Sequence, residues 1–174
     1  RDAAPDDSAT ARAELAALTV HAVPTFEHRE LLTRALHDTR RRFLLITPHL
    51  RDAVVNQDLL TQLEVLLRRK GLTAHIAYGL GHPDREQYTE ALTRLRRLND
   101  RYPNLTVVRL RSAAPHCLVF DDSWINSSFD WLSFRGGAER AYRREEGTLI
   151  RSASIVDHRY AETVAAIELK LEAE

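Results

Sequence analysis

Apolar residues recur at intervals of three and four positions in several stretches of the chain, which predicts amphipathic helices. In the stretch at 58–70, for example, Leu59, Leu63 and Leu66 fall on one face. Gly71 follows, and a glycine at this position favours the end of a helix. The helices are expected at residues 27–41, 58–70, 86–99 and 158–171.

Short continuous apolar runs lie between the helical stretches, as expected for strands that are buried on both faces. The strands are predicted at residues 43–47, 72–78, 105–110, 115–120, 124–127 and 149–152. Strands that alternate with helices indicate an α/β fold with a mostly parallel or mixed sheet flanked by helices. We expect a single domain at residues 25–174, preceded by a linker or N-terminal extension at residues 1–24.

Charge and composition narrow the function only slightly. The 25 basic residues are balanced by 25 acidic ones, so net charge indicates neither a nucleic-acid nor a membrane partner. Arginine clusters at 40–42, 68–69 and 94–97 are compatible with a nucleic-acid groove. Because acidic residues match them in number, solvated helix faces are the favoured interpretation.

The compartment and the extent of the chain also follow from composition. Cys117 is the only cysteine, which excludes an internal disulfide and suits a reducing cytoplasm. No apolar run approaches the roughly 18 residues of a membrane span. The chain contains no methionine, so we expect it to be a piece of a longer, bacterial-looking protein to which the function belongs.

The most distinctive segment runs from 114 to 131. An apolar run ends in Asp121 and Asp122, two hydroxyl residues follow at Ser127 and Ser128, and the segment closes with Phe-Asp-Trp at 129–131. Glu-Glu-Gly follows at 145–147. This order resembles the active-site segment of the phospholipase D superfamily, in which His-x-Lys, four residues and Asp precede Gly-Ser, Asn and a downstream Glu.

The resemblance covers residues 25–172 and implies a phospholipase D-like fold. It also implies phosphoryl transfer through a phosphohistidine, with no metal or cofactor. In that family one histidine attacks phosphorus and a second, from a paired motif, protonates the leaving group. A domain with a single motif would therefore form a homodimer, or pair with another domain of a longer parent chain.

Two alignments with the family motif remain open, and neither keeps both the histidine and the lysine. Anchoring on Asp121 places Ala114 at the nucleophile and His116 at the lysine. Anchoring on His116 as the nucleophile places Leu118 at the lysine. The lost cation weakens phosphate binding, and the lost nucleophile removes the covalent step.

The remaining site candidates follow from the same comparison. Ser127 and Ser128 either bind a phosphate oxygen or form a turn. Asp130 replaces the family Asn, and an ionised carboxylate repels phosphate. Glu146 either orients His116 or pairs with an arginine.

The missing cation is expected from Arg109 or Arg111, on or just after the strand that precedes the motif. His49, at a strand end where open α/β sheets bind ligands, is a weaker candidate. No histidine spacing indicates a metal site.

Three functions remain open at this stage. The first is a non-catalytic module, with a degenerate motif, that dimerises or docks on a partner or nucleic acid. The second is a metal-independent phosphodiesterase or nuclease acting through His116, with Ser128, Asp130 and Glu146 around it. The third is a sensor that keeps the pocket for binding alone.

Overall fold

A computed structural model describes residues 18–79, 90–110, 116–133 and 145–171. The elements in these ranges are seven strands and four helices. The strands are β1 (Thr19–Pro24), β2 (Arg42–Thr47), β3 (Thr73–Tyr78), β4 (Leu105–Arg109), β5 (His116–Phe120), β6 (Ser123–Ser127) and β7 (Glu146–Arg151). The helices are α1 (Glu27–Asp38), α2 (Gln57–Leu67), α3 (Glu90–Arg101) and α4 (Ala153–Leu171).

The strands form one mixed sheet in the order β1-β7-β6-β5-β2-β3-β4. Pairing is parallel between β2 and β3 and between β3 and β4, where helices provide the crossovers. The other neighbours are antiparallel. β5 and β6 can pair in this way because a tight turn joins them, with Asp121 in the left-handed region at a φ of 46°. The predicted α/β class with a mixed sheet is confirmed.

Helices cover both faces of the sheet. Helices α1, α2 and α3 contribute Leu31, Leu63 and Leu95 to the larger core cluster, which continues through strand residues such as Leu45 and Leu118. On the opposite face α4 contributes Val156 and Ile167 to a second cluster with alternate strand residues. The strand that sequence analysis placed at 43–47 is buried throughout, as its continuous apolar run predicted.

Residues 19–24 differ from the sequence-based assignment to a linker. They form the edge strand β1, which pairs with β7 from Thr19↔Arg151 to Pro24↔Glu146. Only Val23 in this strand is buried, so the segment lacks the apolar run by which the other strands were recognised. Arg1 to Ala17 and the predicted start of the third helix at 86–89 lie outside the described residues.

Asp121 directly follows β5 and stabilises the end of the sheet where that strand finishes. Its carboxylate accepts hydrogen bonds from the backbone N–H groups of Arg40 at 2.9 Å and Arg41 at 2.8 Å. The neighbouring Asp122 forms an ion pair with Arg41 at 2.7 Å. Asp121 therefore joins two turns and stands a full strand length away from His116.

Candidate functional site

The motif residues meet at one edge of the sheet, where β2 and β6 end and β5 and β7 begin. The register pairs His116 with Ser127, and Ser127 with Gly147. Because Ile46 pairs with Cys117, Thr47 lies beside His116 at the next position. We call this row of strand ends the carboxyl edge, since the parallel strands β2, β3 and β4 all end there. It is distinct from the lateral edge formed by β1.

Ser127 is hydrogen-bonded to a histidine from a distant part of the chain. The Oγ atom of Ser127 lies 2.6 Å from Nε2 of His28, a fully buried residue of α1. The other ring nitrogen, Nδ1, lies 3.0 Å from the carbonyl oxygen of Pro24. A carbonyl only accepts, so Nδ1 carries the proton and the Ser127 hydroxyl donates to Nε2.

Aromatic packing and burial keep His28 neutral. Its ring stacks on Phe129 at a centroid distance of 4.5 Å and tilts against Trp131 at 5.3 Å. Burial lowers the pKa of His28, and this effect outweighs the hydrogen bond to Pro24 and the charge of Glu145, which raise it. His28 was in no pattern recognised from the sequence, although it lies three positions before Leu31 on the buried stripe of α1.

The side chain of Ser128 is bonded to Glu145, the neighbour of the Glu146 candidate. Its hydroxyl donates to Oε2 of Glu145 at 2.5 Å, and the Glu145 residue is only 3% exposed. Glu146 is exposed, and its backbone exchanges hydrogen bonds with Ser128. Thr25 fixes the position of Glu145 by bonding both its N–H and its carbonyl oxygen at 2.9 Å.

Asp130 is 8% exposed and receives three side-chain hydrogen bonds. Its Oδ1 accepts from the hydroxyl of Thr47 at 2.9 Å. Its Oδ2 accepts from the hydroxyl of Ser133 at 2.6 Å and from Nδ1 of His49 at 2.9 Å. The carboxylate thus orients the His49 ring, which is 57% exposed, and this gives His49 a structural context that the sequence did not.

His116 occupies the first position of β5 and is partly buried. Its Nδ1 lies 3.3 Å from the carbonyl oxygen of Ser128, an acceptor, so Nδ1 is the protonated nitrogen of the neutral ring. His116 and Ser127 are direct cross-strand partners. The structure therefore places His116, Ser127, Ser128 and Asp130 at the carboxyl edge.

Of the two arginines expected to supply the missing cation, only Arg109 lies within the described residues. Leu118 is completely buried in the core, and Arg111 lies outside the described residues. Arg109 ends β4 on the same edge, but β2 and β3 separate it from β5. At about 4.8 Å per strand, this places its backbone roughly 14 Å from that of His116.

The arginine clusters are mostly engaged with acidic groups or carbonyls. Arg42 forms ion pairs with Asp122 and Asp157, and Arg94 pairs with Glu90 at 2.5 Å. Arg69 donates to the carbonyl of Thr39 at 2.5 Å, and to those of Leu36 and His37. These contacts give Arg42, Arg69 and Arg94 structural roles within the chain.

In the described parts of the chain, no three His, Cys, Asp or Glu side chains converge on a position that could hold a metal ion. No helix within those parts combines the length and the apolar character needed to cross a bilayer.

Comparison with known proteins identifies the fold. The sequence matches no family model and no curated protein. Among solved structures, Nuc from Salmonella typhimurium, a phospholipase D family member, aligns over 83% of this chain and 91% of its own, with a TM-score of 0.57 and 12% identity. NucT from Helicobacter pylori aligns over 89% and 96%, with a TM-score of 0.55 and 13% identity.

TrmBL2, described as an archaeal chromatin protein with a novel mode of DNA binding, also shares the fold. It aligns over 94% of this chain, with a TM-score of 0.57 and 14% identity, and this chain spans 62% of its length. The chain therefore has the phospholipase D-like fold, as the motif predicted. At these identities the likeness concerns the fold alone.

Proposed function

We propose that this chain is a phospholipase D-like domain that has lost phosphohistidine chemistry and serves as a docking module, with nucleic acid as its partner. The support for this proposal is that other residues of the chain engage the side chains at the motif positions.

This proposal rests on the hydrogen bonds by which the motif side chains are already engaged within the chain. Ser127 is bonded to His28, and Ser128 is bonded to the buried carboxylate of Glu145. Asp130 already accepts hydrogen bonds from three donors. An incoming phosphate would have to break these bonds and would meet two carboxylates, so the geometry disfavours a phosphoenzyme.

Nucleic acid is the favoured partner for two reasons. One fold neighbour is described as binding DNA, which connects this architecture with docking on nucleic acid. The β3 and β4 part of the carboxyl edge also carries Tyr78 and the guanidinium of Arg109, which suit a base and a backbone phosphate. Self-association through the motif region, as the family resemblance implies, remains part of the proposal, and sedimentation velocity would measure it.

The test is binding of a fluorescein-labelled single-stranded oligonucleotide, followed by anisotropy in EDTA with the oligonucleotide checked for integrity afterwards. We expect saturable binding of an intact oligonucleotide that weakens as salt concentration rises. Absence of binding at low salt to both DNA and RNA would overturn the choice of partner.

A second candidate is a metal-independent phosphodiesterase at His116. The observation in its favour is that the Ser128 carbonyl orients the His116 ring through Nδ1, so that Nε2 carries the lone pair needed to attack phosphorus. Intact-mass measurement after incubation with a phosphodiester would test it. A phosphorylated species that disappears in His116→Ala would support this candidate, and an unmodified mass would exclude it.

A further inference from the structure

A single row of side chains crosses the sheet at the carboxyl edge, and most of it belongs to no motif. The register pairs Ser127 with His116, Thr47 with Tyr78, and Tyr78 with Arg109. With Thr47 beside His116, these five residues occupy neighbouring strands from β6 to β4 and face the same side of the sheet. The row is roughly 19 Å long at about 4.8 Å per strand.

The chemistry of the row is uniform. Its members offer hydroxyl, imidazole, phenol and guanidinium groups, and it contains no carboxylate. Asp130 accepts from Thr47 of the row, and Glu145 accepts from Ser128 beside β6, so both acidic groups of the site lie towards its β2 and β6 end. The half of the row on β3 and β4, with Tyr78 and Arg109, therefore carries positive charge and an aromatic ring.

Gly79, which follows β3, has no side chain and so leaves room for the Arg109 side chain. Gly79 has a φ of 96°, and a Cβ atom added there would lie 3.0 Å from Cγ and 3.5 Å from Nε of Arg109. The Arg109 side chain thus lies across the end of the neighbouring strand. Within the described residues, no other aromatic ring stacks on Tyr78, which is partly exposed.

We propose that a single strand of nucleic acid binds the β3 and β4 half of this row, with Tyr78 stacking on a base and Arg109 contacting the backbone phosphate. This inference rests on the proposed function and assigns the site through which it acts. An aromatic platform beside a cation is how proteins hold single strands without reading their sequence. One ring and one arginine side by side suit a single strand better than the two backbones of a duplex.

The test compares two variants of the row with one matched control, using labelled single-stranded DNA over a salt series. Tyr78→Leu removes the ring and keeps an apolar side chain, and we expect about tenfold weaker binding. Arg109→Gln removes one phosphate contact, so the slope of log K against log salt should shrink by about 0.7. Arg97→Gln makes the same charge change on an exposed position of α3 and should leave the slope unchanged.

The outcomes separate this inference from the proposed function. If wild type binds and both row variants bind equally well, the assigned path is wrong while docking stands. If wild type does not bind, the proposed function fails together with the path. Should Tyr78→Leu lose its fold by circular dichroism, photocrosslinking of wild type to thiothymidine-containing DNA decides: crosslinks in 73–79 or 105–109 support the path, and crosslinks only elsewhere overturn it.

Discussion

At residue 130, a carboxylate accepts hydrogen bonds at both oxygens, whereas an amide would accept at only one of its two polar atoms. The sequence identified Asp130 as a departure from the family Asn, which led to the expectation of an altered site at that position. It did not reveal that Thr47, His49 and Ser133 supply donors to this carboxylate. Two of those partners lie more than 80 positions away along the chain, so only the folded sheet brings them together.

Asp130→Asn is therefore expected to destabilise the protein, although it restores the family residue. The amide nitrogen of Asn is a donor, and it would face donors that now bond to a carboxylate oxygen. A buried group is then left unsatisfied, at a cost of about 1–3 kcal/mol. Urea denaturation measures this change. Asp100→Asn, an exposed position on α3, should alter the free energy of unfolding by less than about 0.5 kcal/mol. Equal stabilities of the two variants would contradict the structural role given to Asp130.

The choice between Glu145 and Glu146 shows a further limit at the residue scale. The two are adjacent in sequence, and the order of the family motif does not separate them. Only the contact with Thr25 and the start of β7 decide that Glu145 turns inward.

At the scale of elements, the junction of β1, α1 and β7 supports the site. The carbonyl of Pro24 at the end of β1 fixes the tautomer of His28 in α1, and Gly147 in β7 leaves room for the imidazole. Periodicity predicted α1 and the central strands well, because their apolar positions are regular. β1 was assigned to a linker, since a strand at the edge with one buried residue has no apolar pattern to recognise.

Gly147→Ala should disrupt this junction. The added Cβ would lie 3.0 Å from Nε2 of His28 and 3.2 Å from the carbonyl oxygen of Asn126, so the histidine or the strand must shift. We expect a loss of about 1–3 kcal/mol in the free energy of unfolding. Double substitution with His28→Ala measures the coupling: the penalty for Gly147→Ala should shrink when the imidazole is absent. An unchanged penalty would mean that His28 is not the obstacle.

At the scale of the whole molecule, each face of the sheet encloses a histidine that the fold keeps neutral. His28 lies on the buried face of α1. His75 of β3 lies under α4, where the Tyr160 hydroxyl is 3.3 Å from its Nδ1. Burial lowers the pKa of His75, opposed by the charge of Glu168, and burial likewise lowers that of His28. The sequence placed His75 correctly on a strand, but its burial depends on α4, far along the chain.

These pKa shifts predict a loss of stability in mild acid. Below about pH 6.5 these histidines become protonated in the unfolded chain but stay neutral in the folded state, where their pKa values are lower. The free energy of unfolding therefore falls by up to about 1.4 kcal/mol per pH unit for each histidine. Above that pH both states are neutral and the effect vanishes. Urea denaturation from pH 5 to 8 should show a flatter profile for His75→Gln, whereas His158→Gln, an exposed control, should match wild type. Identical profiles for all three would contradict the assignment.

The whole molecule also explains why the fold was easier to predict than the function. The order of helices and strands and the spacing after Asp121 are local features, and they correctly led to the phospholipase D-like fold. Whether the motif is open to a phosphate depends on His28, Thr47 and Glu145, which reach it from separate elements. The proposed loss of chemistry therefore rests on contacts that no local pattern encodes.

The most direct test is hydrolysis of a chromogenic phosphodiester and of a single-stranded oligonucleotide by the purified protein in EDTA, beside His116→Ala. We expect wild type and the variant to show the same background rate, with both proteins folded by circular dichroism. Turnover by wild type in EDTA that is lost in His116→Ala would contradict this expectation and establish a metal-free histidine phosphodiesterase.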